Sequence, residues 1–236
     1  MIDLRQGNCL EIMKTIQDNS IDLVVIDPPY QLQKGGTGAF GTTKRKYRSE
    51  YTIFSDGFNL KILDELQRLM KKTNIYIWCS KAQLSKIIRY YEKINCNIDV
   101  LTWHKSNPTP ACNNTYLSDT EYLIFAREKG VKLYGTYETK RKYYITPTNK
   151  QDKKLYKHPT VKPLHIIKNL IINSSNENDV VLDCFMGSGT TGVACKELNR
   201  NFIGIEINKK FYEIAKERIE NYERSFFIGG KNANNW

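Results

Sequence analysis

Ile21-Asp22-Leu23-Val24-Val25-Ile26-Asp27-Pro28-Pro29-Tyr30 is the segment around which the rest of the chain can be arranged. Its first six residues are mostly apolar and β-branched, and two prolines follow, which predicts a short buried strand that ends abruptly. The carboxylate of Asp27 and the ring of Tyr30 come directly after this strand. Ligands of open α/β sheets bind at the carboxyl ends of the strands. The segment therefore predicts a functional site, although an ordinary turn can have the same residues.

Helical and β-rich patterns alternate through most of the 236 residues. Apolar periodicity predicts helices over about residues 9–17, 58–71, 80–94, 162–173 and 208–222, and strands at 2–4, 21–26, 74–79, 98–104, 121–126, 180–183 and 202–206. This alternation is typical of the α/β class, with a doubly wound, mostly parallel sheet and helices on both faces. The length fits a single domain, residues 1–236.

The chain carries a formal net charge of +11, which favours a polyanionic partner such as nucleic acid over a merely basic soluble protein. Two segments interrupt the α/β pattern and concentrate this charge. Residues 31–52 form a glycine-rich basic segment, predicted to be a mobile loop after Tyr30, and residues 127–157 interleave cations with tyrosines, which suits phosphate contact and base stacking. The predicted DNA-binding residues are Lys34, Lys44, Arg45, Lys46, Arg48, Lys140, Arg141 and Lys142.

A second motif lies near the carboxyl end of the chain. The strand Val180-Val181-Leu182-Asp183 precedes a glycine turn, Gly187-x-Gly189-x-x-Gly192, which leads into a helix and a further strand ending at Glu206. Such a βαβ unit binds nucleotides, because glycines let the backbone approach the ligand and the acid can hold ribose hydroxyls. The turn by itself fits a nicotinamide cofactor as well as another adenosine ligand.

Both motifs in one chain resemble those of the amino-methylating DNA methyltransferases. Asp27-Pro28-Pro29-Tyr30 is similar to their catalytic motif, and Asp183-x-Phe185-x-Gly187-x-Gly189 is similar to their S-adenosylmethionine motif. The catalytic motif comes first, which resembles the order called the β class. The resemblance implies the Rossmann-like methyltransferase fold, S-adenosylmethionine as cofactor, and double-stranded DNA as substrate.

Further segments strengthen this resemblance: Gly7-Asn8-Cys9, His158-Pro159-Thr160-Val161-Lys162-Pro163, Trp103-His104-Lys105-Ser106-Asn107-Pro108 and Thr120-Glu121-Tyr122. Asn8 departs from the family, which more often carries Asp at this place near the cofactor adenine. The resemblance implies that residues 127–157 are a short target-recognition region. The cofactor residues that it implies are Asn8, Cys9, Asp27, His158, Thr160, Lys162, Asp183, Phe185, Gly187, Ser188, Gly189, Thr190, Thr191 and Glu206.

The resemblance also implies the chemistry. The Asp27 carboxylate and the Pro28 carbonyl would hold the exocyclic amine of a flipped base, Pro29 would help to fix the turn, and Tyr30 would stack on the base. Asp at the head of the motif favours adenine N6 as the methylated position over cytosine N4. Two further functions stay open: a non-catalytic module that binds nucleic acid, and a nicotinamide-dependent dehydrogenase. A homodimer and a cognate restriction endonuclease are candidate partners.

The remaining composition predicts no metal site and no membrane association. The six cysteines are scattered without any Cys-x-x-Cys spacing, and the three histidines form no ligand-spaced set with them. His104 and His165 are predicted to be ordinary structural histidines. The sequence has neither an apolar run long enough to span a membrane nor a signal peptide pattern. These features predict a cytoplasmic protein whose cysteines are mostly core thiols.

Overall fold

The computed structural model describes residues 1–30, 59–110, 114, 116–156, 158 and 160–222. The predicted loop at 31–52 and its five cations lie outside the described residues. The described strands are β1 (Ile2–Gln6), β2 (Leu23–Ile26), β3 (Asn74–Cys79), β4 (Asn97–Lys105), β5 (Thr120–Arg127), β6 (Tyr143–Thr146), β7 (Val180–Asp183) and β8 (Asn201–Glu206). These eight strands form one sheet, in the order β1-β8-β7-β2-β3-β5-β4-β6.

Helices cover both faces of this sheet, as the alternating pattern predicts. The described helices are α1 (Cys9–Met13), α2 (Lys61–Leu69), α3 (Leu84–Lys93), α4 (Lys150–Leu155), α5 (Leu164–Ser174), α6 (Thr190–Glu197) and α7 (Lys209–Glu220). One apolar cluster packs α1, α2 and α3 against one face, and a second packs α5, α6 and α7 against the other. The predicted fold class is therefore confirmed.

Strand β2 lies in the middle of the sheet because it is apolar on both of its faces. All four of its residues are buried. Val24 and Ile26 belong to one apolar cluster, and Leu23 and Val25 belong to the other. β2 pairs in parallel with β3 on one side and with β7 on the other. A strand buried on both faces reads as a continuous apolar run, and that is the pattern in the sequence.

The direction in which successive strands are added to the sheet reverses between β2 and β7. The chain continues from β7 through α6 to β8 on one side, and from β2 towards β3 on the other. Such a point leaves a crevice outside the carboxyl ends of the two central strands, where ligands of open α/β folds bind. The fold thus places the predicted catalytic and cofactor motifs on the two sides of one crevice.

The structure differs from the sequence predictions in several elements. β5 runs antiparallel to both β3 and β4, and the 127–157 segment contains an edge strand and a helix, β6 and α4. β6 was missed because only Tyr144 of its four residues is buried. The first helix ends at Met13 instead of residue 17, since Thr15 N donates to Ile12 O and Ile16 N donates to Met13 O, which tightens the chain into turns.

The helices of the described ranges are all too short or too polar to cross a membrane.

Candidate active site

The two predicted motifs meet at one edge of the sheet. β2 and β7 are parallel neighbours, so the turns that follow them open on the same side. A cavity of about 520 Å³ lies there, and pockets for small ligands commonly measure about 300–1,000 Å³. Every predicted catalytic and cofactor residue lines this cavity except Gly189. The structure therefore brings the two halves of the predicted site together.

Asp27 follows β2 directly and is held by an ion pair. Lys162 Nζ donates to Asp27 Oδ2 over 2.6 Å. The second oxygen, Oδ1, is buried and has no hydrogen-bond partner within the described part of the chain. Burial raises the pKa of the Asp27 carboxyl group, and the Lys162 charge offsets part of that rise. Asp27 thus lines the cavity with one acceptor oxygen unsatisfied, as an incoming N–H donor would require.

Tyr30, at the end of the catalytic turn, is fixed through its hydroxyl group. The hydroxyl donates to Glu121 Oε2 at 3.2 Å and accepts from Lys162 Nζ at 3.1 Å. Burial, followed by the charges of Asp27 and Glu121, raises the pKa of Tyr30 well above its usual range, so the hydroxyl stays neutral. The ring therefore has a fixed position at the wall of the cavity.

Gln83 braces the catalytic turn from outside the predicted site. Its Nε2 donates to Pro29 O at 3.0 Å, while its Oε1 accepts from Ser80 N at 2.9 Å and from the Ser80 hydroxyl at 2.8 Å. This residue was not predicted from the sequence. A signal existed, because Ser80-x-x-Gln83 has the spacing of a capping box at the start of a helix. The contact with Pro29, however, depends on the pairing of β2 with β3.

The glycine turn has a backbone that only glycine adopts easily. Gly187 has a φ of +53° and Gly189 a φ of +80°, values that are costly for residues with a Cβ. A Cβ on Gly187 would lie 3.1 Å from His158 Nε2, and one on Gly189 would lie 3.0 Å from the Cβ of Ala215. Gly187 is thus packed against a cavity residue, whereas Gly189 is packed against α7. The turn presents its backbone to the cavity.

Two acids hold this turn in shape. Asp183 Oδ1 accepts from Phe185 N at 3.0 Å, and Oδ2 accepts from the Thr191 hydroxyl at 2.6 Å. Complete burial raises the pKa of Asp183 to about 7 in spite of these two bonds. Glu206 Oε2 accepts from Gly187 N at 2.8 Å, and Oε1 accepts from Asn208 N at 2.8 Å. The backbone N–H of Ile207 is a third donor to this carboxylate. The predicted contact of Glu206 with the ribose stays a prediction.

The segment predicted to lie near the cofactor adenine has local bonds of its own. Asn8 is the N-cap of α1, and its Oδ1 accepts from Leu10 N at 2.9 Å. The thiols of Cys9 and Cys184 are hydrogen-bonded to each other at the wall of the cavity. Because the Asn8 side-chain oxygen already accepts a hydrogen bond from Leu10 N, the N–H₂ group of its amide is the part of the side chain that is more available to a ligand. Its predicted role at the adenine stays a prediction.

His158 closes the cavity over the glycine turn. Its Nδ1 accepts from Thr160 N at 3.3 Å, and its ring meets Phe211 edge-on, with 4.4 Å between the centroids. Burial, with the nearby Lys162 charge as a smaller cause, lowers the pKa of His158 to about 4. The imidazole is thus neutral near pH 7 and acts here as a polar wall, not as a cation.

Arg218 of α7 is a second residue that was not predicted from the sequence. Its guanidinium group donates to the Ser188 carbonyl at 3.1 Å, the Ser188 hydroxyl at 3.3 Å and the Thr190 hydroxyl at 2.9 Å. The group also lies 4.0 Å from the centroid of the Tyr156 ring, which follows α4. Arg218 thereby joins the 127–157 segment to the glycine turn. A basic residue in the last turn of a helix does not by itself predict this contact.

The predicted DNA-binding cations of the second basic segment lie outside the cavity. Lys140, Arg141 and Lys142 are exposed and precede β6 at the edge of the sheet. Lys142 forms an ion pair with Asp99, and the Arg141 guanidinium lies 5.8 Å from the centroid of the Tyr137 ring. They form a basic edge, and their contact with DNA stays a prediction.

A mostly parallel sheet with a catalytic turn and a glycine turn at adjacent strands defines a Rossmann-like methyltransferase. The sequence matches the family of DNA methylases, the N6/N4 methyltransferases, over residues 21–217. Because this match spans most of the chain, the protein belongs to that family. The family depends on S-adenosylmethionine, so the predicted enzyme class, cofactor and DNA substrate are confirmed at the level of the family.

Individual proteins show the same likeness. The Type II methyltransferase M2.MboI of Moraxella bovis is 32% identical over 239 residues, which cover 92% of this chain and 86% of that protein. The crystal structure of M1.HpyAVI in complex with S-adenosylmethionine is 29% identical and has a TM-score of 0.71, covering 93% of this chain and 99% of that one. The cytosine-N4-specific PvuII methyltransferase has a TM-score of 0.69 at 16% identity, covering 97% and 93% of the two chains. The last likeness concerns the fold alone.

Proposed function

We propose that this protein transfers a methyl group from S-adenosylmethionine to the exocyclic N6 amine of an adenine within a specific sequence of double-stranded DNA. The observation that carries the proposal is Asp27 Oδ1, a buried oxygen without a partner among the described residues, in a cavity shared with the glycine turn. A buried carboxylate oxygen is costly unless it accepts a hydrogen bond. A target amine would supply that bond.

The cavity residues also fit the cofactor. Gly187 has no side chain between its backbone and the cavity, and its N–H group donates to the Glu206 carboxylate, which also lines the cavity. These residues would hold the nucleoside and methionine parts, and the cofactor supplies an electrophilic methyl group. At the other end of the cavity Asp27 and the Pro28 carbonyl would hold the amine. Both ends lie in one cavity, which direct transfer requires.

Asp27 would act on the amine by charge and by orientation. The lone pair of an exocyclic amine is delocalised into the ring, so the nitrogen is a poor nucleophile. Hydrogen bonds from the amine to the carboxylate would favour a pyramidal nitrogen, and the negative charge would stabilise the positive charge that develops during transfer. The base would leave the duplex to reach this site, with its face on the Tyr30 ring. No covalent enzyme intermediate is needed.

Adenine is favoured over cytosine by the residue type at position 27. The resemblance associates Asp at the head of the catalytic motif with adenine N6 and Ser with cytosine N4. The fold does not separate the two bases, since the PvuII methyltransferase is specific for cytosine N4 and has a similar fold. The roles of the individual site residues belong to this same proposal.

The base is identified by the modified nucleoside. Purified protein is incubated with unmethylated genomic DNA and S-adenosylmethionine labelled in its methyl group, and the DNA is digested and analysed by mass spectrometry. We expect labelled N6-methyladenine. Labelled N4-methylcytosine as the product would contradict the adenine assignment and leave the methyltransferase class intact. Sequencing of the same DNA for modified bases gives the recognition sequence.

We expect the basic edge at Lys140 and Arg141 to contribute to the affinity for DNA. The double substitution Lys140→Gln and Arg141→Gln should reduce the slope of log K against log salt concentration by about 2, since each neutralised phosphate contributes about 0.9. Fluorescence anisotropy with a labelled duplex measures the slope. The matched control is Lys72→Gln with Lys93→Gln, two exposed cations that precede β3 and β4 and lie outside the 127–157 segment. Equal slopes in the two double variants would contradict a DNA contact here.

The relatives are Type II methyltransferases by name, and this supports a role in a restriction-modification system. A cognate endonuclease and a homodimer are proposed partners on the same ground. Cytoplasmic location remains a prediction from the sequence.

A further inference from the structure

We propose that Lys162 is a positioning residue for methyl transfer, which fixes the Asp27 carboxylate by one oxygen and leaves the other oxygen for the target amine. Glu121 holds Lys162 in that place. The inference rests on the role of Asp27 proposed above. It replaces the expectation that Lys162 binds the cofactor.

The hydrogen-bond donors of Lys162 are fully used inside the protein. An ammonium group has three N–H donors and no acceptor. Three acceptors surround Nζ: Asp27 Oδ2 at 2.6 Å, Tyr30 OH at 3.1 Å and Glu121 Oε2 at 3.2 Å. A cofactor contact would have to break one of these bonds. The geometry therefore directs the ammonium group of Lys162 to the catalytic turn.

The side chain of Lys162 has little freedom to move away from this position. Lys162 is 7% exposed, and its neighbours Val161 and Pro163 are buried. Nζ lies 5.2 Å from the centroid of the Tyr30 ring and 4.9 Å from that of the Trp78 ring, within the range of cation–π attraction. The chain enters α5 two residues later. Lys162 is thus held both by its bonds and by its packing.

Lys162 belongs to a chain of alternating charges that crosses from the sheet to the catalytic turn. Lys105 Nζ lies 2.7 Å from Glu121 Oε1, and Glu121 contacts Lys162, which contacts Asp27. Burial would raise the pKa of Glu121, but the two lysine charges outweigh it and lower that pKa to about 2. Glu121 therefore remains ionised at neutral pH. Breaking such a buried chain leaves an unpaired charge.

The protonation of Asp27 gives this arrangement a measurable consequence. Asp27 must be ionised to hold the amine, so the rate falls as the pH drops through its pKa. Burial raises that pKa, the Lys162 charge lowers it, and the Glu121 charge raises it. Removing Lys162 should thus move the acid limb of the pH profile to higher pH. The groups that act electrostatically on Asp27, or that its charge affects, are Lys162, Glu121, Tyr30, Cys79 and Asp183.

The test compares Lys162→Met with Lys162→Arg. Single-turnover methyl transfer at saturating cofactor and DNA is measured across pH, and cofactor affinity is measured by calorimetry without DNA. We expect Lys162→Met to lower the rate about 100-fold, as a displaced catalytic group does. The acid limb of its pH profile should lie at higher pH. Its affinity for the cofactor should be close to that of the unmodified protein. Lys162→Arg keeps the cation, and its acid limb should stay in place.

Glu121→Gln provides a second variant whose shift has the opposite sign. It removes a negative charge near Asp27, so the acid limb should move to lower pH. Thermal unfolding shows whether Lys162→Met folds. If it does not, Glu121→Gln is the variant that tests the inference. The inference is overturned if cofactor affinity falls while the saturated rate is unchanged, or if the acid limb stays in place in both variants. N4-methylcytosine as product would refute the adenine assignment alone.

Discussion

Replacement of Asp27 by Asn is expected to lower the rate of methyl transfer about 100- to 1,000-fold, the usual loss when one preorganised charge-stabilising group is removed. The amide oxygen would accept from Lys162, which leaves the amide N–H₂ group facing the target amine, donor against donor. The negative charge that stabilises the transition state is also lost. Single-turnover kinetics at saturating cofactor and DNA measure this rate, and anisotropy and calorimetry measure the affinities for DNA and cofactor, which should be largely unchanged.

The matched control for Asp27→Asn is Asp22→Asn. Asp22 lies at the other end of β2 and also pairs with a lysine, since Lys71 Nζ lies 2.8 Å from Asp22 Oδ1. Its replacement removes an ion pair of the same strand without touching the cavity, so the rate should stay close to that of the unmodified protein. An Asp27→Asn variant with an undiminished rate would contradict the catalytic role of Asp27. If the unmodified protein transfers no label to mixed-sequence DNA, a non-catalytic binding module becomes the better interpretation.

Replacement of Gly189 by Ala is expected to weaken cofactor binding about 10- to 100-fold, which is the effect of losing one or two hydrogen bonds to a charged ligand. The φ of +80° strains a residue with a Cβ, and that atom would lie 3.0 Å from Ala215 Cβ and 3.1 Å from Ala215 Cα. Because α7 backbone does not give way easily, the turn must shift. Calorimetric titration with S-adenosylmethionine measures the change.

Gly130→Ala is the matched control for Gly189→Ala, because it adds the same backbone strain without changing the path of the glycine turn. Gly130 has a φ of +90°, and a Cβ there would meet nothing within 4 Å. Both variants should lose about 1–2 kcal/mol of unfolding free energy from the left-handed backbone, measured by denaturant titration. Only Gly189→Ala should lose cofactor affinity. Equal affinities in the two variants would mean that the exact path of the glycine turn does not matter for binding.

The fold was largely predictable because its signals are local. The apolar run before Asp27 predicted β2, and the run at 180–183 predicted β7, since strands buried on both faces are continuous apolar stretches. The edge strand at Tyr143–Thr146 was missed because an edge strand needs few buried residues. The reversed direction of β5 has no signature in its own residues, since it depends on which neighbour the strand meets.

The candidate site was predictable where a residue acts within its own motif and unpredictable where contacts come from distant segments. Asp27 with Tyr30, and Gly187 with Gly189, were found as motifs. Lys162 was predicted as a cofactor residue, which stays a prediction, and its contact with a carboxylate 135 residues away in the chain was not predicted. Gln83 and Arg218 were missed because their partners, Pro29 O and the Ser188 turn, are likewise distant in sequence.

The sequence alone determined the chemistry that Asp27 and the glycine turn make available, because residue type, apolar pattern and turn residues are local properties. It also determined the family, through the joint occurrence of both motifs. Only the tertiary structure decided how Asp27 is held, because Glu121 comes from β5, which pairs with β3 beside β2, and Lys162 comes from the segment before α5. Burial and charge at that point depend on the whole sheet and its covering helices, and they leave one oxygen of Asp27 for the amine.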